Sequence, residues 1–313
     1  MFEVMGVVAP IFLLISLGFL SIRLGWLSTE DYSSLTSFVM KISFPCLLLT
    51  NLSAIDLTQH FRTDILLIFG ICSICLAVGS IQFFRRILGR EDTLATLQGG
   101  IGVSLSNNGF IGYPVLFMAF ASPPMTTYAT VLLVENLIML PLIIFLLNRA
   151  SPSRQAAISQ NKVVVISQLV VNPILIAVIA GMLISVMQIN IPEHVTLALS
   201  LLGAAAAPLA LFAIGMALVK VPSIKETTDI AWTSLGKLVL HPALVAISCF
   251  LFVDNFYDPD IYAVILLASS PMASLYPVFG ASYGAPNLTA STLTTTTFLS
   301  LFTISCWIAF LGI

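Results

Sequence analysis

Charge is scarce in this chain. Only 8% of its 313 residues are Asp, Glu, Lys or Arg, against about a quarter in soluble domains. No polar stretch is long enough to fold as a separate soluble unit, so a water-soluble protein is excluded. Histidine is thin as well, with His60, His194 and His241 isolated from one another. No metal and no cofactor is therefore expected, and nucleic acid is not an expected partner. HExxH, GxSxG and Walker motifs are missing, and Gly99-Gly100-Ile101-Gly102 follows no strand that would make it a nucleotide loop. An enzyme would need clustered acids, a metal set or a nucleophile with its base, so none is expected. The five cysteines, Cys46, Cys72, Cys75, Cys249 and Cys306, all fall in apolar stretches and read as packing residues.

What is abundant is apolar surface: 58% of residues are hydrophobic and the mean hydropathy is +1.06. The chain is expected to be an all-α polytopic membrane protein. A span needs about 20 mainly apolar residues, and cutting at polar clusters gives ten: 4–22, 33–55, 64–84, 94–119, 127–147, 163–187, 195–219, 229–253, 259–282 and 286–312. The first run has no basic segment before it and no small-residue cleavage site, so it reads as a retained span.

Cytoplasmic loops collect Lys and Arg. Counted from the first loop, alternate connections hold Arg23, then Arg85, Arg86 and Arg90, then Arg149, Arg154 and Lys162, then Lys220 and Lys225. The opposite connections hold only Arg62. Both termini are expected on the outer, periplasmic side of the inner membrane. Lys41 and Lys237 are left inside spans.

Span four is interrupted by SNNGFIGYPV (106–115). Asn, Gly and Pro are poor helix formers, and lipid offers no hydrogen bonds to an opened backbone. Its Tyr113-Pro114-Val115 recurs as Tyr276-Pro277-Val278, 163 residues later in span nine. The same offset pairs Pro10 with Pro173, Gly18 with Gly181, Pro45 with Pro208, Ser106 with Ser269 and Pro123 with Pro286. The chain thus divides into a five-span repeat (1–148), a cytoplasmic linker (149–162) and a second repeat (163–313). Five is odd, so the second repeat enters from the opposite side. That is a 5+5 inverted repeat with broken, crossing helices four and nine, an architecture that places substrate at the midplane.

The half-helix N-termini exposed at such breaks carry partial positive charge and suit an anion. Gly109 and Gly112 are expected to let the backbone turn, and Pro114 and Pro277 to start the following half-helices. Asn107, Asn108, Ser269 and Ser270 can satisfy freed backbone or reach a ligand. With Tyr113, Pro271, Tyr276 and Lys237 they make the candidate binding set. The two Tyr-Pro-Val triplets are expected to meet at the crossing. Lys237 is deep in span eight with His241 one turn beyond. It is either an anion counter-charge, a cation standing in for a coupling ion, or a lysine snorkelling to the surface. Glu135, beside Asn136 in span five, carries a coupling proton or pairs with Lys237. Glu135, Asn136 and His241 are the coupling candidates.

At SFPCLLL (43–49), NNGFIGYPV (107–115), GKLVLHPAL (236–244) and SPMASLYPVFGASYG (270–284), followed by a Ser/Thr-rich last span, the sequence resembles the auxin efflux carrier family of the bile-acid/sodium-symporter superfamily. The resemblance covers essentially the whole chain. It implies a ten-helix fold with spans one, two, six and seven as a scaffold, often a homodimer, and spans three to five and eight to ten as a moving transport domain. It implies an anionic substrate at the crossing, with Asn107 matching the family's asparagine ahead of the Gly-Phe pair. Plant exporters carry a long hydrophilic loop between the halves; here it is about fifteen residues, pointing to a compact bacterial-type permease for organic acids, coupled to protons, to sodium or to neither. A sodium-coupled bile-acid-type symporter and a non-transporting sensor of the same fold are the alternatives.

Overall fold

A computed structural model describes residues 2–54, 62–151, 173–217, 219 and 227–313. His60, Lys220, Lys225 and the linker from 152 to 162, with Arg154 and Lys162, lie outside the described residues. Among the described residues the fold is all-helical. In chain order the helices are α1 (Phe2–Arg23), α2 (Glu30–Ser53), α3 (Thr63–Arg86), α4 (92–102), α5 (Asn108–Ala119), α6 (Met125–Ala150), α7 (Pro173–Val186), α8 (Glu193–Ala217), α9 (Thr227–Phe252), α10 (Pro259–Ser269), α11 (Tyr276–Ser282) and α12 (Pro286–Leu311). Six of them, α2, α3, α6, α8, α9 and α12, are long and apolar enough to cross a bilayer; α5, α7 and α10 are shorter and apolar. Span four is α4 followed by α5, and span nine is α10 followed by α11.

Local sequence sets the helix ends. Ser28 caps α2 by accepting from the Glu30 and Asp31 amides, while the Asp31 carboxylate accepts from the Ser28 amide at 2.7 Å. This reciprocal arrangement satisfies donors that a helix start leaves open. Asp258 caps α10 with a single bond, its carboxylate accepting from the Asp260 amide, with Pro259 in the first turn.

Prolines shape the interiors. A proline in a helix lacks a donor and crowds the carbonyl of the preceding turn. In α2, α5, α6 and α9 the turn ahead of Pro45, Pro114, Pro141 and Pro242 widens into a π-type turn: Val39–Ser43, Asn108–Gly112, Val134–Met139 and Gly236–Leu240. Such turns shift side chains out of the regular register and recur at functional sites. Three of these four carry Asn108, Glu135 and Lys237.

Two groups of helices result. α1 packs on α8, and α7 and α8 pack on α2; α3, α4, α9, α10 and α12 pack among themselves. The first group is close enough to exclude side chains. A Cβ on Gly18 would fall 1.9 Å from the Phe212 carbonyl oxygen, and one on Gly215 would fall 1.9 Å from that of Ile15, a small-residue contact of the kind that lets membrane helices approach. Gly181 does the same for α7, where a Cβ would meet Leu52 Cβ at 2.9 Å and the Leu49 oxygen at 3.4 Å.

Ion pairs fasten the ends of the second group. Arg62, ahead of α3, holds Asp64 at 2.6 Å and Asp258 at 2.7 Å. Arg90 holds Asp229, whose side chain is 1% exposed, at 2.9 Å. Arg85–Asp92 is an exposed pair and contributes about 0–1 kcal/mol. In the Cys72-x-x-Cys75 pair both cysteines are free, Cys72 buried and Cys75 exposed.

Candidate functional site

The two interruptions lie against each other. Residues 105–107 after α4 run antiparallel to 271–273 after α10, with Ser106 opposite Met272. The Asn107 amide donates to the Pro271 oxygen at 2.7 Å, and the Ala273 amide to the Leu105 oxygen at 3.2 Å. Opened backbone at membrane depth must find partners within the protein, and these two segments supply them to each other.

Buried polar side chains supply further partners, while Ser106 Oγ, Asn108 Oδ1 and Ser270 Oγ meet no protein partner among the described residues. Glu135 Oε1 accepts from the Ser106 amide at 2.9 Å and Oε2 from Asn108 Nδ2 at 3.0 Å. Asn107 caps α5, its Oδ1 accepting from the Phe110 amide at 3.3 Å. Tyr128 donates its hydroxyl to the Asn108 oxygen at 3.1 Å. Across the crossing, fully buried Lys237 donates to the Ala268 oxygen at 2.7 Å, near the end of α10, and meets His241 Nδ1 at 2.8 Å. His241 Nε2 lies 3.1 Å from Ser73 Oγ on α3. An ammonium at Lys237 makes Nδ1 the acceptor and leaves Nε2–H to face Ser73. The Glu135 carboxyl thus sits at a helix start and the Lys237 amine at a helix end, where the peptide dipoles favour a negative and a positive charge respectively. Glu135 and Lys237 do not form an ion pair: no contact within 4.0 Å joins them.

Two cavities border the crossing. The larger, about 90 Å³, lies between α2, α6 and α7 and is walled by Asn107, Asn108, Gly109, Glu135 and Asn136. The smaller, about 70 Å³, lies between α2, α8 and α12 and includes Asn107, Thr294 and Thr297. Ser274 lines both, as Asn107 does. Along α2 the smaller cavity touches Tyr32 and Thr36 and the larger touches Met40, Phe44 and Leu48. The nearest members of the two sets, Thr36 and Met40, are one helical turn apart, roughly 6 Å at 1.5 Å per residue. Asn107 and Ser274 therefore form a partition with a cavity on each side.

The family described as "Membrane transport protein" matches residues 3–308. The chain belongs to that family. Among curated relatives, a protein of Rhizobium meliloti named "Putative malonate transporter" is 29% identical, over 97% of this chain and 95% of its own length. An "Uncharacterized transporter" of Methanothermobacter thermautotrophicus is 26% identical over 96% of each chain. "Auxin efflux carrier component 8" of Arabidopsis thaliana is 23% identical over 80% of this chain and 81% of its own length. The resemblance to auxin efflux carriers holds. The protein is a membrane transporter, and its relatives are transporters rather than enzymes.

Within this membrane transport protein the expected residues fall into three places. Asn107, Asn108, Gly109, Glu135 and Asn136 face the larger cavity. Ser269, Ser270 and Pro271 are buried in the crossing, and Lys237 and His241 lie behind it. Tyr113, Pro114, Tyr276 and Pro277 sit one turn further on, and neither cavity is lined by them. Tyr113 packs against Phe44 and Tyr128 at ring separations of 5.9 and 5.5 Å, whereas the Tyr276 hydroxyl donates to Gln98 on α4. The two tyrosines thus have different partners, Phe44 and Tyr128 for Tyr113 and Gln98 for Tyr276.

Gly109 and Gly112 act through space rather than through turning. Neither has a positive φ. A Cβ on Gly112 would fall 2.4 Å from Asn108 Oδ1, so its hydrogen keeps room for that amide. Gly109 leaves the cavity open towards Met40 and Phe44. Sequence reasoning missed Tyr128, Ser274, Thr294 and Thr297. The Ser/Thr-rich last span was the signal for the threonines; Tyr128 and Ser274 carried none.

Proposed function

We propose that the protein carries small organic anions, mono- or dicarboxylates, across the inner membrane by exposing one site at the crossing to the two cavities in turn. The observation that carries this reading is the partition: Asn107 and Ser274 border both cavities. The relative named for malonate makes that dicarboxylate the first substrate to try. Cavities of about 90 and 70 Å³ suit a small acid better than a steroid.

A 5+5 inverted repeat of ten spans, broken at four and nine, underlies this cycle. Two geometric matches support it. Gly18 packs on Phe212 and Gly215, and Gly181 on Leu49 and Leu52; adding 163 to 18, 49 and 52 gives 181, 212 and 215. Opposing Ser106 to Met272 places 107 and 108 across from 271 and 270, and the same offset carries 107 and 108 onto 270 and 271. The pairing is thus centred on the repeat's own twofold. The halves are 1–148 and 163–313. The α1, α2, α7 and α8 group is the scaffold and the dimer contact, the other group moves, and both termini face the periplasm.

Glu135 gives the coupling. An anion in the larger cavity would meet the Glu135 carboxylate at low dielectric, where like charges a few ångströms apart repel by several kcal/mol. A proton or a sodium ion on Glu135 removes that repulsion and ties its movement to the anion's; Asn136 and His241 belong to the same polar surroundings. Lys237, bonded to Ala268 behind the crossing, supplies positive potential without touching the cavity. In liposomes, the purified protein should accumulate labelled malonate when a proton or a sodium gradient is imposed. Glu135→Gln should lose that accumulation by at least about tenfold, the factor that corresponds to 1.4 kcal/mol. Full accumulation by Glu135→Gln contradicts the coupling, and failure of the unmodified protein to move any small carboxylate contradicts the function.

A further inference from the structure

Away from the crossing, α3 and α9 enclose an open apolar groove of about 310 Å³. Its floor is Phe84 and Val103, both 1% exposed. Its walls run from Cys75 through Gly79 to Phe83 on α3, and from Leu240 to Trp232 on α9. Three features point to what fills it. Gly79 lies inside α3, where glycine weakens a helix, yet a Cβ there would meet nothing within 4 Å. Close packing against the protein does not explain this glycine, and a smooth wall for a chain lying in the groove does. Arg86 stands seven residues after Gly79, two turns along the same helix face. Among the described residues Arg85 pairs with Asp92 and Arg90 with Asp229, while Arg86 has no acidic partner. Trp232 is 41% exposed at the same end of the groove, with its ring 5.0 Å from that of Phe83. Tryptophan favours the membrane interface because its ring is apolar and its N–H is a donor.

We infer that this groove binds one acyl chain of an anionic phospholipid, with the headgroup phosphate held between Arg86 and the Trp232 indole N–H. Basic residues at the ends of membrane grooves hold such headgroups, and the apolar groove accepts the tail. This site is separate from the crossing and does not depend on what the crossing carries.

The test uses brominated acyl chains, which quench tryptophan on contact. Protein is reconstituted in phosphatidylcholine with increasing brominated phosphatidylglycerol or brominated phosphatidylcholine, and Trp232 is isolated as the difference from a Trp232→Phe chain. Quenching of Trp232 should reach half its limit at an about fivefold lower fraction of the anionic lipid, roughly what one basic residue contributes at an anionic surface. Arg86→Gln, at an exposed position, should bring the two curves together. Gly79→Leu, which fills the groove, should reduce quenching by both lipids. Coincident curves in the unmodified chain, or a gap that survives Arg86→Gln, would overturn the assignment. So would a Trp232 that neither lipid quenches, since a second copy or another protein would then cover the groove.

Discussion

Asn107→Ala is expected to lower malonate uptake by at least about tenfold while the protein still folds. The side chain has two duties. It caps α5 through the Phe110 amide, and it borders both cavities. Loss of the cap costs about 1 kcal/mol, which a well-packed membrane protein survives. Loss of a hydrogen bond to a charged ligand costs about 1.5–3 kcal/mol, which is tenfold or more in affinity. Asn107→Ser separates the two, because serine caps a helix about as well as asparagine but is too short to reach the ligand. Its melting temperature should recover and its uptake should not. Unchanged uptake by Asn107→Ala would remove Asn107 from the site.

Lys237 should give the second large effect, and here the structure changes the expectation. From the sequence, Lys237 is an anion counter-charge, a cation standing in for a coupling ion, or a lysine snorkelling to the surface. In the structure Lys237 is wholly buried and bonded to the Ala268 oxygen and to His241. Truncation to alanine leaves both partners unsatisfied, at about 1–3 kcal/mol each, and opens a cavity worth about 2–5 kcal/mol. Lys237→Ala should therefore melt well below the unmodified protein. Lys237→Met loses the charge and both hydrogen bonds but keeps most of the volume, so it avoids the cavity and should be the more stable of the two. Its uptake should still fall by at least about tenfold if the positive potential behind the crossing attracts the anion. Uptake by Lys237→Met at the unmodified rate would make Lys237 a structural residue.

Much of the fold was legible because the bilayer restricts the choices. Backbone must be helical wherever lipid touches it, so apolar segments and the polar breaks between them located the helices. The break at 106–115 and its counterpart at 269–278 could be paired because both carry Tyr-Pro-Val at one offset. Depth was legible for Glu135 and Lys237, since a charge inside an apolar run has a position along the helix. Direction was not. Proline-widened turns rotate Asn108, Glu135 and Lys237 out of the regular helical register, so spacing alone could not say that Glu135 would face Ser106 rather than Lys237. Nor could it place the triplets, because each follows a break whose exit angle is set by tertiary packing. Tyr128 and Ser274 were invisible for a simpler reason: a single polar residue in a span has no signature until its neighbours are known.

Alternating access requires one site that opens to both sides, and Ser274 reports on it because it lines both cavities. Ser274→Cys is placed in a chain whose five native cysteines are replaced, and a membrane-impermeant thiol reagent is applied to right-side-out and to inverted vesicles. Labelling from both sides, slowed from each by malonate, is the expected result. Labelling from one side alone, or labelling that malonate leaves unchanged, would contradict alternating access at the crossing.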